Sequence, residues 1–124
     1  IWGCQWDATL KWMETSTDSE VANFPTNSVG KGNYAATQGS TNTRIPTGSN
    51  PDYAVNNIYD MAGNVMDWTI EAHSTIYRVA RGGYSNYTAS SYPTNYRSNI
   101  YPTLSSSSKD AWEWYGCRAT LYIK

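Results

Sequence analysis

Asn57-Ile58-Tyr59-Asp60-Met61-Ala62-Gly63-Asn64-Val65-Met66-Asp67-Trp68 is the stretch that decides the fold. Two shorter steps follow it in order, Arg81-Gly82-Gly83 and Gly116-Cys117-Arg118. A lone Gly-Asn-Val carries no information, but three linked motifs in fixed order, spanning about half the chain, form a specific signal. Gly63 is expected in a turn that needs a positive φ, with the Trp68 ring packed beneath it. After the long motif, residues 76–81 alternate, with Tyr77, Val79 and Arg81 on one face and Ile76, Arg78 and Ala80 on the other. The last stretch alternates too: Cys117, Ala119, Leu121 and Ile123 inward, Arg118, Thr120, Tyr122 and Lys124 outward. Short strands of this kind predict an α+β domain with an antiparallel sheet, and not a βαβ unit. Trp68, Val65, Val79, Leu121 and Ile123 are the expected central core.

Upstream of the motif, Trp2, Trp6, Leu10 and Met13 recur at one face of a helix, and Asp7 and Lys11 stand at a spacing that pairs them on the outer face. Residues 15–56 then turn polar, punctuated by Phe24-Pro25, Gly30-Lys31-Gly32, Ile45-Pro46 and Asn50-Pro51. A connection this long reads as a surface segment pinned by a few apolar residues, here Phe24, Tyr34 and Ile45. The two cysteines, Cys4 and Cys117, permit one disulfide that would close most of the chain, or two inert buried thiols; their spacing suggests no metal cluster.

At 124 residues and 13.9 kDa the chain is a single small domain with a modest stability reserve. A formal net charge of -1 gives no basic footprint for nucleic acid and no polybasic membrane anchor. Nothing approaches the roughly 18 apolar residues of a spanning helix, and no signal peptide is visible. The chain opens on Ile1-Trp2-Gly3 without an initiator Met, as a processed piece would. Its 6 Trp and 11 Tyr stand against a single Phe, and aromatics with a polar tip suit half-wet surfaces better than a dry core.

The ordered motif set resembles the core of the formylglycine-generating-enzyme type of the C-type lectin fold. The resemblance implies a single C-type lectin-like domain over residues 1–124, with short antiparallel strands, one amphipathic helix and long loops. The N-terminal helix looks like the second of two helices that clasp the sheet. On that match, the usual preceding strands and first helix lie outside this sequence. The resemblance also implies a cation-binding loop, with side-chain oxygens from Asp60 and Asp67 and backbone carbonyls from Gly63 and Val65. An oxygen-only set suits a hard ion such as Ca²⁺ in a structural role. The competing reading is that Asp60 caps the turn and Asp67 pairs with an arginine such as Arg78.

The resemblance does not extend to the family's oxidative chemistry. Formylglycine-generating enzymes hold copper through a cysteine pair shortly after the Arg-Gly-Gly step. Here residues 84–92 read Tyr-Ser-Asn-Tyr-Thr-Ala-Ser-Ser-Tyr, with no cysteine, and Cys117 stands where an aromatic is usual. The sulfoxide-synthase branch needs several histidines for iron, and His73 is the only one. Ser74 beside His73 lacks any nucleophile-elbow motif. No redox cofactor and no catalytic residue is implied.

What replaces the active site is a run of recognition chemistry. Residues 84–115 hold 6 Tyr, 8 Ser, 3 Asn and 3 Thr, 20 of 32 positions. Tyr supplies contact area with few torsions to freeze, while Ser and Asn adapt their hydrogen bonding, as in antibody paratopes. Asn, Tyr, Ser, Thr, Ile and Asp are also what an asparagine codon yields when its adenines change. That pattern resembles the variable proteins of diversity-generating retroelements, which carry such a segment on this same lectin-like fold. Candidate contact residues are Tyr84, Asn86, Tyr87, Tyr92, Asn95, Tyr96, Asn99 and Tyr101. Trp112, Trp114 and Tyr115 complete an aromatic rim, unless Trp112 or Trp114 is core. Residues 105–108, four serines, read as a flexible tip. The expected function is a non-catalytic module for a protein or glycan ligand, displayed outside the cell, on a cell surface or on a virion. Two alternatives stand beside it: a degenerate or incomplete member of the enzyme family, and a structural subunit of a phage or surface appendage whose aromatic surface makes subunit contacts.

Overall fold

Helix α1 (Gly3–Met13) turns Gly3, Trp6, Leu10 and Met13 inward, the stripe that 3.6-residue periodicity demands. The computed structural model describes residues 1–15, 21–35, 43–102 and 113–119. Trp2 is not part of the stripe. It is the N-cap, in extended conformation and 55% exposed, because the backbone has not yet entered the helical turn that would carry its ring inward. The Gln5 side-chain oxygen accepts from the Trp2 amide at 2.8 Å and closes that end. The expected Asp7–Lys11 pair is also replaced: Lys11 bonds Glu14 at 2.8 Å, and Asp7 reaches Arg81 across the domain.

The core lies between α1 and segments that read as loops. Trp6, Leu10 and Met13 meet Phe24, Tyr34, Val55 and Met61 in one buried cluster. Phe24 and Tyr34 act as the expected pins; Ile45 is half-buried and held instead through its backbone by Asn64. Of the core expected from the sequence, Val79 is buried, Val65 and Trp68 are only half-buried, and Leu121 and Ile123 lie outside the described residues. Polar composition hid the true core, since four or five large apolar residues at wide spacing suffice to bury a helix face.

Two sheets complete the domain. β1 (Ala54–Val55) and β2 (Ile58–Tyr59) pair antiparallel around Asn56 and Asn57, both at positive φ, as a two-residue hairpin with matching twist requires. The larger sheet has the order β5-β4-β3-β6, from β3 (Met66–Ala72), β4 (Arg78–Arg81), β5 (Arg97–Ile100) and β6 (Tyr115–Cys117). β3, β4 and β5 are antiparallel neighbours, with a register shift between Trp68 and Ala72. β6 departs from the expected antiparallel sheet. It runs parallel to β3, placing Tyr115 opposite Met66 and Cys117 opposite Trp68. No tight turn joins these strands, so nothing local imposed an antiparallel direction. In this register Cys117 is exposed and not inward; Cys4 is exposed as well, and both are free thiols.

Candidate ligand-recognition surface

The Arg81-Gly82-Gly83 step sends the chain out of β4 into the tyrosine-rich segment. Gly83 has φ +69°, and a Cβ there would lie 2.3 Å from the Tyr92 carbonyl oxygen and 2.9 Å from the Tyr34 ring. Only glycine admits that approach. The buried Tyr34 hydroxyl lies 2.9 Å from the Gly82 carbonyl and 2.8 Å from the Tyr92 carbonyl, donating to one at a time. Ser85, Ala89 and Thr94 are buried between half-buried or exposed neighbours. Thr94 is tied down most firmly: its hydroxyl lies 2.6 Å from that of Ser28, its amide donates to Ser28 Oγ, and its carbonyl accepts from the Trp6 indole at 3.0 Å. The segment is polar in composition yet fixed at its base, and a fixed base lowers the ordering cost of binding.

Between the anchors the aromatic rings form a chain of contacts. Trp114 lies 5.4 Å from Tyr84, Tyr84 meets Tyr87 edge-on at 4.4 Å, Tyr87 stacks on Tyr92 at 3.9 Å, and Tyr92 meets Tyr96 at 4.4 Å. Tyr115 adjoins this chain and stacks on Trp68 at 5.1 Å. That stack, and not a seat beneath Gly63, is where Trp68 belongs; the Tyr34 ring lies beside Gly63 instead. Asn86 and Asn95 stand exposed on the same segment. The remaining candidates fall elsewhere. Asn99 is exposed on β5, and Tyr101 pairs with Tyr77 at 5.7 Å, beyond the end of the β4–β5 ladder opposite to the ring chain. Trp112 and residues 105–108 lie outside the described residues.

Sequence reading missed one wall of this surface. Arg44, from the polar segment before the motif, sits 5.8 Å over the Trp114 ring and donates to the Glu113 carbonyl and carboxylate at 3.0 and 2.9 Å. Thr43, Arg44, Ile45 and Pro46 face Glu113 and Trp114 across an open cavity of about 490 Å³. Asn64 holds this wall, its side chain accepting from the Ile45 amide and donating to the Ile45 carbonyl, both at 2.9 Å. Only the Asn64 signal was present in the sequence; nothing local announces a contact between residues 44 and 113.

Burial, followed by neighbouring phenols, raises the Tyr84, Tyr92 and Tyr115 hydroxyls above the ordinary tyrosine range. The sign follows from linkage. The unfolded chain ionises near the ordinary tyrosine value of about 10, whereas the folded chain keeps its protons longer. Stability from these groups is complete below that pH and lost as the pH climbs past it. A melting series at rising alkaline pH is expected to show a falling Tm, and a Tyr84→Phe variant a shallower fall; parallel curves would show that the phenols are not coupled to folding.

Of the residues proposed for a cation, Asp60 and Asp67 meet Arg118, while the Gly63 and Val65 carbonyls are not among its partners. The Arg118 Nε donates to Asp67 Oδ2 at 2.5 Å, one terminal nitrogen donates to the Tyr59 carbonyl at 2.9 Å, and the other to the Asp60 carbonyl. Asp67 thus pairs with Arg118 and not with Arg78, which bonds the Ser74 and Tyr77 carbonyls. Asp60 holds its turn by accepting from the Gly48 amide at 2.8 Å, at φ +52°. Among the described residues no group of three or more His, Cys, Asp or Glu could hold a metal ion. His73 is exposed.

No family model matches the chain, and no curated protein matches it. A solved structure does: Treponema denticola variable protein 1, with a TM-score of 0.57 and 22% identity, over 94% of this chain and 44% of that one. The two chains share a fold. The present chain spans less than half the length of that protein. Among the described residues no helix is long and apolar enough to cross a membrane.

Proposed function

We propose that this chain is a non-catalytic recognition module of the variable-protein kind, on a formylglycine-generating-enzyme-like lectin scaffold. It binds a protein or glycan ligand through Tyr84, Asn86, Tyr87, Tyr92, Tyr96, Trp114 and Tyr115. The carrying observation is the unbroken run of ring contacts from Trp114 through Tyr84, Tyr87 and Tyr92 to Tyr96, supplied wholly by the Tyr/Ser/Asn-rich segment and anchored below by buried Ser85, Ala89 and Thr94. Aromatic rings with hydroxyl tips on a rigid base give contact area and hydrogen bonding at low entropic cost. The likeness to a variable protein supports the reading through the fold. Such a module would work on a cell surface or a virion, where its ligand belongs to another cell or a phage host.

Diversification is the part of this reading that sequencing tests. Coding regions from sibling isolates are expected to differ mainly at exposed positions between 84 and 115, at codons derived from asparagine, while Ser85, Ala89 and Thr94 hold. Substitutions spread evenly along the chain would contradict a retroelement origin.

A further inference from the structure

The loop of Asp60 and Asp67 offers what a hard cation wants, two carboxylates and neighbouring carbonyl oxygens, yet a side chain has arrived there first. Arg118 spans Asp67 Oδ2, the Tyr59 carbonyl and the Asp60 carbonyl with three separate nitrogens. Both aspartates are 4% exposed, so neither charge is left to water. They line a cavity of about 280 Å³ with Asn64, Val65, Gly116 and Arg118. Asp60 Oδ1 is buried there with no hydrogen-bond partner among the described residues. The set therefore does not fit a bound divalent ion: the Asp67 carboxylate and two carbonyls already face the guanidinium, and a second cation beside Asp60 would be repelled by it at close range.

We propose that the Arg118 guanidinium is the resident cation of this loop, doing the work of a structural divalent ion. It joins β6 to the Asn57–Trp68 motif, and β6 begins at Tyr115, the ring that stacks on Trp68 beside the tyrosine chain. The edge of the aromatic surface is thus clamped by a covalently tethered charge and needs no metal. The corollary is that the oxygen cage is latent: without the guanidinium, two buried carboxylates and two freed carbonyls remain, with a net demand for positive charge that calcium answers.

Melting curves of the whole chain in chelator and in millimolar CaCl₂, at matched ionic strength, test this. The wild type is expected to melt at the same temperature in both. Arg118→Ala is expected to melt lower in chelator by roughly 5–10 °C, as loss of one partner from a part-buried ion pair implies. CaCl₂ should then restore several degrees through binding to the folded state alone, and NaCl should not. Arg118→Lys keeps the charge but not the three-way fork, so it should lose stability and gain no calcium response. Asp67→Asn placed in the Arg118→Ala background should erase the response. If Arg118→Ala does not fold in chelator, its refolding yield with and without CaCl₂ gives the same reading. A wild-type Tm that rises with calcium would overturn the proposal. So would an Arg118→Ala variant as stable as wild type, or one that calcium leaves unchanged.

Discussion

Arg81→Met is expected to cost about 1.5–3 kcal/mol, the worth of a hydrogen bond to a charged group, since Asp7 is half in water and Glu71 keeps Arg97. Arg81 is 1% exposed although it is charged, and it bonds Asp7 of α1 while lying 3.6 Å from Glu71 of β3. Glu71 in turn pairs with Arg97 of β5, and the Arg81 guanidinium sits 5.9 Å over the Trp6 ring. Two positive and two negative groups balance, and between them they join the helix to three strands. Removing the central one leaves Asp7 without that partner and Glu71 facing Arg97 alone. The expected Tm loss is roughly 5–15 °C for a domain of this size. Arg81→Lys should recover part of it, since it returns the charge without the planar fork. Asp7→Ala should cost much less, because that side chain is half in water. An Arg81→Met variant within about 1 kcal/mol of wild type would show that the network is decorative and that apolar packing alone fixes the Arg-Gly-Gly step.

The motif reading succeeded where the chain obeys local rules. Gly63 at positive φ, the helical stripe of Trp6, Leu10 and Met13, and the strand holding Val79 all follow from backbone permissiveness or periodicity. It failed where partners are set by tertiary approach. Trp68 is expected beneath the Gly63 turn, but its ring meets Tyr115 because a parallel β6 lies beside β3. Strand direction across so long a connection has no sequence signature. The Asn56-Asn57 hairpin does have one, an asparagine pair between short apolar runs, but it straddles the boundary between the polar segment ending at residue 56 and the motif opening at Asn57. β5 was hidden because Arg-Ser-Asn-Ile carries no alternation of polarity.

The candidate surface was legible in composition but not in layout. Tyr84, Tyr87, Tyr92 and Tyr96 stand at spacings of three, five and four, which fits no helix or strand, so only the anchored loop shows that they touch. Tyr101 looked equivalent on composition, yet the β4–β5 ladder carries it away to Tyr77. Arg44 could not be inferred at all, since its link to Trp114 and Glu113 exists only once Asn64 has folded the preceding segment back. Composition tells which chemistry a surface will use; the anchors decide which residues share it.

Binding by the Tyr87, Tyr92 and Tyr96 triple alanine variant, measured beside its melting curve, tests the recognition surface most directly. The probe is intact cells to which the labelled wild-type chain binds. Hot-spot tyrosines are each worth roughly tenfold or more in affinity, so the triple variant is expected to lose at least about a hundredfold. These rings also pack on one another, so the Tm should fall by a few degrees while the transition stays cooperative, because Ser85, Ala89 and Thr94 still hold the base. Tyr77→Ala with Tyr101→Ala, two rings removed from the far end of the β4–β5 ladder, should bind as wild type does. Undiminished binding by the triple variant, or equal loss in the distant pair, would contradict the account.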